Sequence, residues 1–130
     1  MATPPSILVV DDNDVVRSLL RVVLQQEGFV VWTAAGGLEA IDLFRSRNLS
    51  IDLVLLDVQM PGMDGLQTLA ALRLLDPQVH CCLMSSLLRD QVSEDCGEWD
   101  GILFLPKPFD LKSLGQTLRR RLDGARKKPW

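Results

Sequence analysis

The sequence predicts an α/β domain, (βα)5, built as one doubly wound parallel sheet of five strands. Three observations carry this. Five short apolar runs of strand length (ILVV, FVVW, LVLL, VHCCLM and ILFL) recur along 130 residues, separated by stretches with helical spacing. The runs are apolar throughout instead of alternating, as expected for strands covered on both faces. The intervals between them leave room for helical crossovers and little else.

Taken in order, Ile7–Val10 is the first strand and residues 15–24 the first helix, with apolar positions at 16, 19, 20 and 23. Gly28 ends that helix, and Phe29–Trp32 is the second strand. Leu38, Ile41 and Phe44 mark a second helix after Gly36 and Gly37. Leu53–Leu56 is the third strand, and Asp64 with Gln67 reads as a capping box opening a third helix through Leu69, Leu72 and Leu75. Val79–Met84 and Ile102–Leu105 are the fourth and fifth strands. Asp110 is expected to cap a last helix whose apolar positions 111, 114, 118 and 122 share one face. Residues 88–99 hold five charged residues and Gly97, so any helix there is expected to be short.

With 47% apolar and 24% charged residues, the chain has material for a single core. No apolar run reaches the roughly 20 residues of a membrane span, and MATPPS lacks the charged and apolar regions of a signal peptide. Cys81, Cys82 and Cys96 form no CxxC or Cys/His ligand spacing. Three thiols without an export signal suggest the cytoplasm. The net charge of −3 is uneven. Arg119, Arg120, Arg121, Arg126, Lys127 and Lys128 face one acid, Asp123, at the C-terminal end, so the preceding body is acidic. Such a body suits cations and disfavours nucleic acid, and the basic tail reads as a solvated helix end.

The chemistry sits at the strand ends. Ligands of a doubly wound sheet bind beyond the carboxyl ends of its strands, where Asp11 and Asp12 follow the first strand and Asp57 follows the third. Three converging carboxylates repel, each pair by on the order of 4 kcal/mol at ~4 Å and an effective dielectric near 20. Protonation or a bound cation relieves this, and hard oxygen ligands with room for water favour Mg²⁺. Ser85 and Lys107 end the fourth and fifth strands. A hydroxyl and a fixed cation aimed at the same crevice suit a transferred phosphoryl group, with Asp57 as the carboxylate nucleophile.

Through ILVVDDND, LVLLDVQMPGMDG, LMSS and FLPKPF, the sequence closely resembles the receiver domain of two-component response regulators, over roughly residues 5–122. The resemblance implies a flavodoxin-like sheet of order 2-1-3-4-5, with residues 1–5 as lead-in, 6–122 as the receiver and 123–130 as a short basic tail. It implies that Asp57 accepts phosphate from a histidine kinase or phosphotransfer protein. Asp12 would ligate Mg²⁺ directly, Asp11 mainly through water, and Gln59 through its backbone carbonyl. Ser85 would be the switch hydroxyl, Lys107 the phosphate-facing lysine, and Phe104 the aromatic switch. Such a domain catalyses only its own phosphorylation and dephosphorylation and is not otherwise an enzyme. Output would pass through the face built by the fourth helix, fifth strand and fifth helix to a downstream protein target, or to an output domain missing from this chain. The chain is expected to be a stand-alone regulator or an excised receiver, with no membrane contact. Departures from the family pattern are Ser86, where Ala or Gly is usual, and a large apolar Leu87 that would shield the phosphoaspartate.

Blander readings exist for single residues. Asp11 or Asp12 alone could cap the first helix, Ser85 could be an ordinary strand-end hydroxyl, and Lys107 a surface lysine. Gly62, Asp64 and Gly65 read as turn and cap chemistry, and His80 as a strand residue, not a phosphoacceptor. Two other functions fit part of the pattern. One is a pseudo-receiver, an interaction module that is never phosphorylated. The other is a phosphohydrolase of the haloacid-dehalogenase type, with Asp12 in Asp12-Asn13-Asp14-Val15 as nucleophile.

Overall fold

A computed structural model describes residues 4–47, 50–85, 103–106 and 111–126. In chain order these form β1 (Ser6–Val10), α1 (Asp14–Gln26), β2 (Val30–Ala34), α2 (Gly37–Arg47), β3 (Leu53–Asp57), α3 (Gly65–Leu75), β4 (Cys81–Ser85), β5 (Leu103–Pro106) and α4 (Leu111–Arg126). The five strands form one sheet of order β2-β1-β3-β4-β5, and every pairing is parallel. This is the α/β, doubly wound order that the sequence predicts. The segment 88–99 and the expected cap Asp110 lie outside the described residues.

The two-residue period of a strand divides the core in two. Leu8, Val10, Val54, Leu56, Cys81 and Leu83 pack under α2 and α3, against Ala40, Ile41, Phe44, Leu69 and Leu72. Ile7, Val9, Leu53, Leu55, Cys82 and Met84 face the other way, against Leu20 and Leu24 of α1 and Leu114, Leu118 and Leu122 of α4. Every residue of β1, β3 and β4 is buried, which explains why those runs show no polar alternation.

The second strand departs from expectation. It begins at Val30 and runs to Ala34, and only Ala34 in it is buried. As the edge strand it has a neighbour on one side alone, so Thr33 is accommodated in it. The helical stripes also shift. Helix α1 docks through Val16, Leu20 and Leu24, spaced by four, and Leu19 turns outward. Helix α2 docks through Ala40, Ile41 and Phe44 and leaves Leu38 exposed.

Helix ends follow local chemistry. Gly28 has φ +94° and closes α1 in a Schellman arrangement: its N–H donates to the Gln25 carbonyl, and that of Phe29 to the Leu24 carbonyl. The capping box at α3 forms as expected. Asp64 Oδ1 accepts from the Gln67 N–H (2.8 Å), and Gln67 Oε1 accepts from the Asp64 N–H (3.0 Å). No described helix is long and apolar enough to cross a membrane.

Candidate functional site

The carboxyl ends of β1 and β3 are adjacent, because the two strands pair directly from Ile7↔Leu53 to Val10↔Leu56. The residues next along each strand are therefore acids: Asp11 and Asp12 on one, Asp57 on the other. One carboxylate oxygen from each of the three lies within 4.8 Å of the other two. Asp11 is fully buried and Asp57 is 4% exposed, whereas Asp12 faces solvent. Two buried like charges at this separation repel by on the order of 3 kcal/mol at an effective dielectric near 20. The turns holding them must resist that.

The turn after β1 is braced by several bonds. The Asp11 N–H donates to the Ala34 carbonyl across to β2 (3.2 Å), and Asp11 Oδ1 accepts from the Asn13 N–H (2.9 Å). Arg17 Nη1 donates to the Asp11 carbonyl (2.8 Å), and its other terminal nitrogen pairs with Asp14. Neither Asp11 nor Asp12 caps α1. Asn13 does so, its Oδ1 accepting from Val15 (2.9 Å) and Val16 (3.1 Å). The capping reading of the two acids is thereby corrected: a third residue satisfies the helix donors, and the acids stay directed to the crevice.

Beyond β3 the chain is held on both sides. The Val58 N–H donates to the Met84 carbonyl (2.9 Å), and the Gly65 N–H donates to the Val58 carbonyl (2.8 Å), drawing the start of α3 against the strand tip. The Gln59 N–H donates to Asp57 Oδ1 (3.2 Å), which fixes the carboxylate relative to its own loop. In the sequence Gly65 reads as cap chemistry. Its close approach to the Asp57 backbone depends on a helix-to-strand contact that no local motif announces.

Ser85 ends β4, fully buried, and pairs in register with Pro106, the last residue of β5. Asp57 pairs with Met84, so Ser85 lies one residue beyond it on the neighbouring strand. The structure thus brings Asp11, Asp12, Asp57 and Ser85 to one end of the sheet. Phe104 is on β5, paired with Leu83. Lys107, Ser86 and Leu87 lie outside the described residues. His80 precedes β4, and its carbonyl accepts from the Val54 N–H (2.9 Å) at the opposite end of the sheet, away from the acids.

The donor set fits a hard divalent cation: oxygen ligands only, two of the three residues buried, gathered at the ends of adjacent strands. A soft metal would call for thiolate or imidazole.

Comparison with known proteins agrees with this geometry. The sequence model of the family described as "Response regulator receiver domain" matches residues 7–119. Sporulation initiation phosphotransferase F of Bacillus subtilis is 32% identical over 116 residues, covering 89% of this chain and 92% of that protein. Response regulator MprA of a Mycobacterium species (strain KMS) is 40% identical over 124 residues, and the match spans 51% of its length. Among solved structures, the response regulator TrrA of Thermotoga maritima, in complex with Mg²⁺ and beryllofluoride, superposes with a TM-score of 0.78. It is 32% identical, with 90% of this chain and 98% of that chain covered. A family-wide match over most of the chain, on a sheet of the expected order with its acids gathered at one end, leads to one conclusion. The chain belongs to the response regulator receiver domain family.

Proposed function

We propose that this receiver domain is a phosphorylation-activated switch in which Asp57 carries the phosphoryl group. The observation that carries this reading is the convergence of Asp11, Asp12 and Asp57 within 4.8 Å, with Asp57 buried at a strand tip. The donor is a histidine kinase or phosphotransfer protein. A carboxylate oxygen of Asp57 attacks phosphorus, the bond to the donor atom breaks, and an acyl phosphate of Asp57 forms.

Asp11, Asp12 and Asp57, with the backbone carbonyl of Gln59, would hold Mg²⁺. When bound, the ion neutralises charge between the carboxylates and the phosphate oxygens. The chain's own residues do the rest. The Gln59 N–H orients Asp57 through Oδ1, leaving the other oxygen as nucleophile. Ser85, one residue beyond Asp57 on the adjacent strand, supplies a hydroxyl to a phosphate oxygen. Lys107, next in sequence after the β5 residue paired with Ser85, supplies the fixed positive charge. Movement of Ser85 toward phosphate, coupled to Phe104 two strand positions away on β5, then biases the output face.

Adding Mg²⁺ and beryllofluoride, a mimic of the acyl phosphate, while following backbone amides by NMR tests this. Large shifts are expected at Gln59 and Ser85 and along β5 and α4. No response at millimolar Mg²⁺ and saturating beryllofluoride would identify a pseudo-receiver. The phosphohydrolase reading, with Asp12 as nucleophile, gains nothing from a site in which Asp12 is the exposed acid and Asp57 the buried one.

A further inference from the structure

Asp11 and Asp12 leave β1 on a turn that ends where α1 begins at Asp14. The carbonyl of Asp11 belongs to the peptide plane joining the two acids. Fixing that plane fixes where the Asp12 Cα sits and leaves only rotation about its own N–Cα and side-chain bonds to aim the carboxylate. The group that fixes it comes from the next turn of α1: Arg17 Nη1, 2.8 Å from the Asp11 carbonyl oxygen.

We propose that Arg17 is a positioning residue for the cation site, clamping the Asp11–Asp12 peptide so that both carboxylates face Asp57. This rests on the reading of that cluster as a Mg²⁺ site. The guanidinium is a rigid planar fork. One end is tied to the Asp11 carbonyl and the other to the Asp14 carboxylate, so its pose is fixed at both ends. The Arg17 side chain is only 20% exposed, although its partner Asp14 is 86% exposed. A positive charge beside a cation site opposes cation binding on electrostatic grounds alone. Asp14 offsets that charge, and what remains is the geometric contribution. Charge and geometry therefore predict opposite signs on removal of Arg17: tighter Mg²⁺ binding if charge dominates, weaker if clamping does.

The experiment is a Mg²⁺ titration of the whole chain by calorimetry or amide NMR, for wild type, Arg17→Ala, Arg17→Lys and Asp14→Asn, with thermal melts in EDTA alongside. Arg17→Lys keeps the charge but loses the fork, and it covers the case in which Arg17→Ala fails to fold. Both Arg17 variants are expected to bind Mg²⁺ about tenfold more weakly, and Asp14→Asn to weaken binding less, in the same direction. The Mg²⁺ concentration needed for half-maximal labelling by acetyl phosphate should rise by a similar factor, with a much smaller change in the rate at saturating Mg²⁺. Unchanged or tighter binding in Arg17→Ala, or full wild-type affinity in Arg17→Lys, would overturn the assignment while leaving the Mg²⁺ site standing. Failure of the wild type to bind Mg²⁺ would overturn the site and the assignment together.

Discussion

Gly65, the first residue of α3, abuts the end of β3 so closely that a β-carbon on it would collide with the Asp57 carbonyl oxygen and with Val58 Cα. The obstacle is backbone and has little room to yield, because Val58 is bonded to both Met84 and Gly65. Gly65→Ala should therefore cost about 1–3 kcal/mol by overpacking, read as a lower urea midpoint with an unchanged m-value. It should also slow acetyl-phosphate labelling by displacing the β3 tip. Wild-type stability and rate together would show that the contact is slack.

Charge repulsion at the site predicts a trade between stability and binding. Asp57→Asn removes one of two buried like charges, so in EDTA it should be more stable than wild type, by on the order of 1–3 kcal/mol. Mg²⁺ at about ten times its Kd should stabilise the wild type by about 1.4 kcal/mol, a rise in Tm of a few degrees. Asp57→Asn and Asp12→Asn should show little of that rise. Calorimetric melts with and without Mg²⁺ check both signs.

Asn13 makes a third test, because it relieves the acids of helix capping. Asn13→Ala should cost about 1 kcal/mol in urea denaturation, and Asn13→Asp should restore much of it. A cost near zero for the alanine variant would show that the observed cap bonds contribute little.

Burial pushes the Cys82 thiol from 9.0 up to about 12, and the nearby Arg121 charge only partly opposes this. The native chain thus keeps a proton that the unfolded chain loses. Its contribution to stability is complete below about pH 9 and declines as pH rises toward about 12, by about 1 kcal/mol per pH unit inside that window. Urea midpoints measured at about pH 8 and about pH 10 should fall more steeply for wild type than for Cys82→Ala. Cys81 is buried beside it, so neither thiol should react with iodoacetamide near neutral pH until the chain is unfolded.

Much of this fold and site is legible in the sequence, and the exceptions have physical causes. The strands buried on both faces announce themselves as unbroken apolar runs. The edge strand β2, with Thr33 inside it and Val30 exposed, blurs that signal and shifts its apparent start. Leu19 and Leu38 are apolar yet exposed, because composition alone does not reveal which line of a helix meets the sheet. Asp11, Asp12, Asp57 and Ser85 could be found because strand ends are where such folds bind ligands. Asn13, Arg17 and Gly65 were harder. Their roles consist of bonds to backbone atoms, and those depend on which turn lies beside which strand.

The switch depends most on which carboxylate reacts. Labelling with acetyl phosphate and Mg²⁺, followed by reductive trapping of the acyl phosphate and mass-spectrometric mapping, measures this directly. The predicted result is one modified residue, Asp57, with no labelling of Asp57→Asn. A label on Asp12, or none on the wild type under conditions where Mg²⁺ binds, would contradict it.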